Sequence, residues 1–107
     1  EIGKVFSLNE HPVERWNLCS VIAHDEADYT EAKSVVQTLI CVGLGRELKA
    51  LPTMISTYLE GRVAYLYIAE KKVGVIGEIS PSILENFRIR VPVVASEIDL
   101  TKLVTCV

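Results

Sequence analysis

Residues 61–100 read GRVAYLYIAEKKVGVIGEISPSILENFRIRVPVVASEIDL, and the fold class turns on this stretch. Arg62 to Ala69 is rich in aromatic and β-branched residues, which suit a pleated, half-buried surface. A tight Glu70-Lys71-Lys72 connection leads into a second such run, Val73 to Ile79, so residues 62–79 are predicted to form a β-hairpin. Gly74 and Gly77 within the second strand predict a bulge or a close approach of backbone. Ser80 then stands as a helix N-cap, with Pro81 at the first helical position, where a missing N–H costs nothing. Ile79 and Leu84 take the two positions of a hydrophobic staple, and the short helix ends near Phe87. Arg90 to Leu100 is the last strand, with Pro92 near its start.

Working outward, residues 2–8 read as a strand and 9–15 as a loop. Asn17 to His24 is a continuous β-prone run, as expected of a strand buried on both faces. Asp25-Glu26-Ala27-Asp28 breaks it. With Asp28 as N-cap, Glu31 falls at the capping-box spacing. Ala32, Val35, Val36, Leu39 and Ile40 recur at helical spacing, and Gly43 and Gly45 stop the helix. Residues 47–52 are a short strand or a loop. The order predicts an α+β fold, its sheet mostly antiparallel, with helices packed on one side.

The chain has 107 residues, half of them hydrophobic, which is enough for one core, so residues 1–107 are read as a single domain. It begins at Glu1, already within a strand pattern, and this reads as a fragment of something longer. No apolar run approaches the roughly 18 residues that a membrane-spanning helix needs. The net charge is −3, and the basic runs, Lys71-Lys72 and the Arg88/Arg90 pair, do not form the stripe that phosphate neutralisation requires. Cys19, Cys41 and Cys106 are far apart and lack metal-ligand spacing. Cys19 and Cys41 lie in apolar segments and are expected to behave as small buried hydrophobes. An odd, unclustered set suits a reducing cytoplasm.

Acidic residues on the late strands are the candidates for chemistry. Side chains alternate along a strand, so Glu97 and Asp99 share a face, and Glu78 lies on the strand predicted before them. If those strands are neighbours, the three carboxylates could converge to hold magnesium or act as an acid/base pair. The plainer reading is a solvated sheet face, or a carboxylate accepting backbone N–H groups at a helix start. His24-Asp25 and His11 read as polar turn and loop residues, since no nucleophile motif accompanies them. Gly43-Leu44-Gly45 lacks the third glycine of a phosphate loop and follows a helix, not a strand.

A longer pattern points further. Gly61-Arg62-Val63-Ala64, Gly74 to Pro81, Ile83 to Phe87 and Pro92 to Leu100 occur in an order that resembles one family. So do Glu1-Ile2-Gly3 and the helix start Tyr29 to Ser34. The family is the beta subunit of phenylalanyl-tRNA synthetase, archaeal and eukaryotic type, in its carboxy-terminal, catalytic-like part. Ser80 stands where that family usually has His, Ala32 where it has Ile, and Ser96 where it usually has Phe.

The resemblance implies a class II aminoacyl-tRNA synthetase-like antiparallel sheet flanked by helices. It implies that an alpha subunit carries out the chemistry with ATP and magnesium, and that this part is a non-catalytic scaffold. Partners would be that catalytic alpha subunit, and tRNA through the whole complex; no membrane is implied, and the location is cytoplasmic. Class II enzymes hold ATP with a Gly-x-Gly-x-x-x-Arg motif on the last strand. The matching segment here, Ala95 to Val104, has neither glycine nor arginine. No catalytic, cofactor-binding or metal-binding residue is therefore assigned in this chain. The rival readings are a stand-alone interaction module diverged from the synthetase, and a magnesium-binding protein using Glu78, Glu97 and Asp99.

Overall fold

The computed structural model describes residues 1–8 and 12–105. Six strands form one sheet: β1 (Ile2–Leu8), β2 (Pro12–Ala23), β3 (Lys49–Pro52), β4 (Tyr58–Ile68), β5 (Lys71–Ile79) and β6 (Val93–Asp99). Their order across the sheet is β1-β2-β6-β5-β4-β3, and every neighbouring pair is antiparallel. Three helices accompany them: α1 (Tyr29–Leu44), α2 (Pro81–Asn86) and α3 (Leu100–Thr105). The expected α+β class is met. The sheet's centre is β6, the last strand in sequence, which inserts between β2 and β5.

Residues that share a register row across the sheet share a face. Ala64, Ile76, Ser96 and Ser20 form one row. Leu66, Gly74, Ile98 and Leu18 form the next. This is the face that α1 covers, through Ala32, Val36 and Ile40, with Leu48 and Ile68 completing the core. Those three helix residues recur every fourth position and lie on one side of the cylinder. Val35 and Leu39, expected on the same stripe, flank it and are each 55% exposed.

Local chemistry explains the element ends. Asp28 is the N-cap of α1, its Oδ1 accepting from the Glu31 N–H at 2.8 Å. The helix passes through Gly43 and ends at Gly45, whose φ of 66° is left-handed and whose N–H bonds to the Cys41 carbonyl. The hairpin turn is Ala69-Glu70, one step earlier than expected. Both residues have positive φ, as a two-residue turn of the kind that matches strand twist demands. Val73 is an extra residue at a register shift beside Leu66 and Tyr67, which is the bulge that the glycine-bearing strand predicted.

Further expectations need correction. Strand β2 begins at Pro12, not Asn17, and it is not buried on both faces: Val21 is 60% exposed. Cys19 and Cys41 are exposed, not buried. Cys19 shares the uncovered side of β2 with Val21, and Cys41 follows Ile40 by about 100° round the helix. The Ser80 side chain makes no cap bond and pairs instead with the Ser82 hydroxyl at 3.0 Å. The last strand ends at Asp99, because the chain turns there into α3, a helix that the periodicity reading did not place. Its signal is Asp99 itself, whose Oδ1 accepts from the Lys102 N–H at 3.0 Å, an N-cap spacing. His11 and Cys106 lie outside the described residues.

Candidate functional site

The three carboxylates do not converge. Strands β5 and β6 are neighbours, as the acidic-site reading required, but Glu78 pairs with Val94 and so lies on the α1 face. Glu97 pairs with Val75 and Cys19 on the opposite face. A single step in register separates the two outcomes, since side chains change face at every residue. Among the described residues, no three His, Cys, Asp or Glu side chains gather closely enough to hold a metal ion.

Each carboxylate has a structural partner. Glu78 Oε1 accepts from the Tyr29 N–H at 3.0 Å, so a strand residue satisfies the first amide of α1 from across the core. That amide is one of the orphan donors at the positive end of the helix dipole, where a carboxylate is favoured. Glu97 Oε1 accepts from Asn17 Nδ2 at 2.6 Å, and Asp99 caps α3. We expect Glu78→Ala to lower stability in urea by about 1–2 kcal/mol, because the half-buried Tyr29 N–H loses its acceptor. Glu78→Gln should keep the bond and lose the charge, costing about 0.3–1 kcal/mol.

His24 sits in the turn after β2. Its Nε2 lies 2.8 and 3.0 Å from the two carboxylate oxygens of Glu31, and its Nδ1 accepts from the Glu26 N–H at 3.2 Å. The neighbouring acid of the sequence, Asp25, is not the one that orients it. This arrangement ties the turn to the first turn of α1 and takes up the Glu31 side chain.

The sheet face opposite α1 carries the row Tyr65, Val75, Glu97 and Cys19. Beside it runs Val63, Gly77, Ala95 and Val21. Tyr58 lies across Gly77: a Cβ on Gly77 would come 2.6 Å from Tyr58 Cδ1. Lys72 Nζ sits 4.2 Å from the centroid of the Tyr65 ring, a cation–π distance. Burial raises the Tyr58 pKa above its ordinary 10.0, and the nearby Glu97 and Cys19 raise it further. A raised folded value means that the native phenol keeps its proton when the unfolded one has lost it. Stability from this group is complete below pH 10 and falls as pH climbs from there through the folded pKa. Urea titrations at stepped pH should show that decline, and Tyr58→Phe should reduce it.

A separate concavity lies away from these carboxylates. A groove of about 610 Å³ runs between α2 and the chain leading into β6. Leu59, Ile79, Leu84, Ile89 and Val91 line it, with Arg88 and Arg90 among the charged residues. Ile79 and Leu84, the expected staple pair, both belong to this lining. Arg88 and Arg90 are the basic pair noted in the sequence, and the groove between them has no counterpart in any linear motif.

Among the described residues, the corner after β6 lacks the groups that hold a triphosphate. After β6 the chain presents Thr101 and Lys102, with Glu97 and Asp99 before them, whereas a triphosphate needs clustered cations and close backbone N–H groups. The residues present do not fit ATP. No helix among the described residues is long and apolar enough to cross a membrane.

The chain is similar to known proteins along most of its length. The chain is 35% identical over 108 residues to a phenylalanine–tRNA ligase beta subunit of Thermococcus onnurineus, covering 96% of this chain and 18% of that one. A subunit of the same name from Thermoplasma acidophilum is 35% identical over 103 residues, covering 94% and 19%. One from Pyrococcus abyssi is 41% identical over 86 residues, covering 80% and 15%. The chain thus spans less than a fifth of the length of these curated relatives. A family model described as the phenylalanyl tRNA synthetase beta chain CLM domain matches residues 1–100. With that match running through β1 to the start of α3, the chain belongs to the phenylalanyl-tRNA synthetase beta chain CLM domain family.

Proposed function

We propose that the chain is part of the non-catalytic beta subunit of a phenylalanine–tRNA ligase. In this reading it is a catalytic-like domain of class II type, and it acts as scaffold for the alpha subunit. The alpha subunit activates phenylalanine with ATP and magnesium and transfers it to tRNA. tRNA reaches the assembly through the complex as a whole, which works in the cytoplasm.

The observation that carries the reading is the family match along residues 1–100. Two structural features support it. The antiparallel sheet with one covered face is the architecture expected of a class II synthetase-like domain. The β6–α3 corner, where a class II enzyme would place its ATP arginine, offers carboxylates engaged in structural bonds.

Phenylalanine-dependent ATP–pyrophosphate exchange tests the reading. The full beta polypeptide should be inactive alone and should join the alpha subunit in an active, co-purifying complex. Exchange by the beta polypeptide without alpha would overturn the assignment, as would failure of the two to associate.

A further inference from the structure

The groove beside α2 combines apolar walls with unengaged cations. Its walls are apolar, at Leu59, Ile79, Leu84, Ile89 and Val91, and guanidinium groups of Arg88 and Arg90 stand among them. Neither arginine has an ion pair or hydrogen bond from its side chain among the described residues. Of the two carboxylates in the lining, Glu78 is engaged by the Tyr29 N–H, which leaves Glu85. Phe87, adjoining the groove, is 74% exposed, and Ile89 is 42% exposed.

Arg88 also occupies a position where glycine would be relaxed. The end of α2 is closed by the Ile89 N–H bonding to the Leu84 carbonyl at 2.8 Å and the Arg88 N–H to that of Glu85 at 3.0 Å. This is a Schellman closure, and its left-handed residue is Arg88, with φ of 57°. A side chain held at a backbone position that penalises it gives a reason to look for a role in binding.

We propose that this groove docks an acidic segment of the partner subunit, its apolar side chains against Leu84, Ile89 and Val91 and its carboxylates on Arg88 and Arg90. The proposal rests on the reading of the chain as a beta subunit, and the partner is the alpha subunit of that reading. Charge complementarity selects the occupant: two unpaired guanidinium groups favour carboxylates, which they bind in a bidentate fork. The apolar lining selects protein over nucleic acid, as does a chain of net charge −3. A second copy of this chain in the groove would instead give a crosslink between beta chains.

The test uses the full beta polypeptide assembled with alpha and tRNA. Phe87→p-benzoylphenylalanine, irradiated in the complex, should crosslink to an alpha peptide carrying Asp or Glu within a few residues of the adduct. Arg88→Glu with Arg90→Glu should weaken alpha binding by about tenfold or more, since like charges then face each other. Arg88→Gly should raise the melting temperature of the beta chain while weakening alpha binding severalfold, which a purely structural role for the side chain would not do. A crosslink within beta, to a second beta copy, to tRNA or to an alpha peptide without carboxylates overturns the proposal. So does unchanged affinity in the double variant. If unsubstituted beta fails to bind alpha, the subunit reading falls and takes this proposal with it; if alpha binds both forms equally, only the groove is wrong.

Discussion

Gly74→Ala is expected to destabilise the chain by about 3 kcal/mol or more, against a total of about 5–15 kcal/mol for a domain of this kind. Gly74 lies in β5 opposite Ile98, with β6 packed against it. A Cβ at this position would fall inside the van der Waals envelope of the Glu97 carbonyl oxygen and 3.1 Å from the Ile98 Cα. Both obstacles are backbone, and neither can rotate away. Relief requires β5 and β6 to separate, and β6 is held on its other side by β2. The usual gain of about 0.4–1 kcal/mol from a stiffer unfolded chain is too small to offset this.

Gly43→Ala is the control. It is also a glycine within a regular element, but nothing lies within 4 Å of its added Cβ. In the last turn of α1 that substitution should be neutral or stabilising by up to about 1 kcal/mol. Urea unfolding of the two variants side by side therefore separates steric cost from backbone entropy. A Gly74→Ala midpoint equal to that of the parent would show that β5 and β6 are not packed in this register.

Ile76→Ala is expected to cost about 3–5 kcal/mol. Ile76 is 0% exposed and sits in the middle of the row Ala64, Ile76, Ser96 and Ser20. Its cross-strand neighbours, Ala64 and Ser96, are small, so Ile76 supplies much of the volume beneath α1 in that row. Truncation leaves a void that small neighbours on a hydrogen-bonded sheet cannot collapse to fill. Melting should shift downward by roughly 4–8 °C for each kcal/mol in a domain of about 100 residues. Val94, in the adjoining row with Ile22, should respond less because Val→Ala removes fewer carbons.

The candidate site divides cleanly into what is local and what is not. The capping role of Asp28 and the glycine stop of α1 were readable because they act within a few residues. The pair Gly74 and Gly77 likewise announced close packing, and both have a neighbour where a Cβ would stand. Glu78 and Glu97 could be placed on alternating sides of their own strands from sequence alone. Whether those sides coincide depends on the register Glu78 to Val94, a fact about two strands together. An acidic cluster follows only when the two strands share the opposite phase. Glu78 instead reaches α1, whose first amide lies 49 residues away in sequence.

Exposure too depends on contacts beyond the local chain. Cys19 and Val21 belong to a run with no polar alternation, which reads as burial on both faces. Nothing within that run says that α1 covers only one side of the sheet. Likewise the apolar positions Val35 and Leu39 have the right spacing for a core stripe, yet the stripe that meets the sheet is Ala32, Val36 and Ile40.

The α+β class, the hairpin, the ends of α1 and, through the order of its motifs, the family are legible in the residues alone. These rest on backbone conformational preference, capping and periodicity, all of which act over one or two turns of chain. The place of β6 between β2 and β5, the bond from the Tyr29 N–H to Glu78 and the groove beside Arg88 and Arg90 come from packing. Those outcomes depend on which surfaces meet, and contact between distant segments is set by the packing of the whole core.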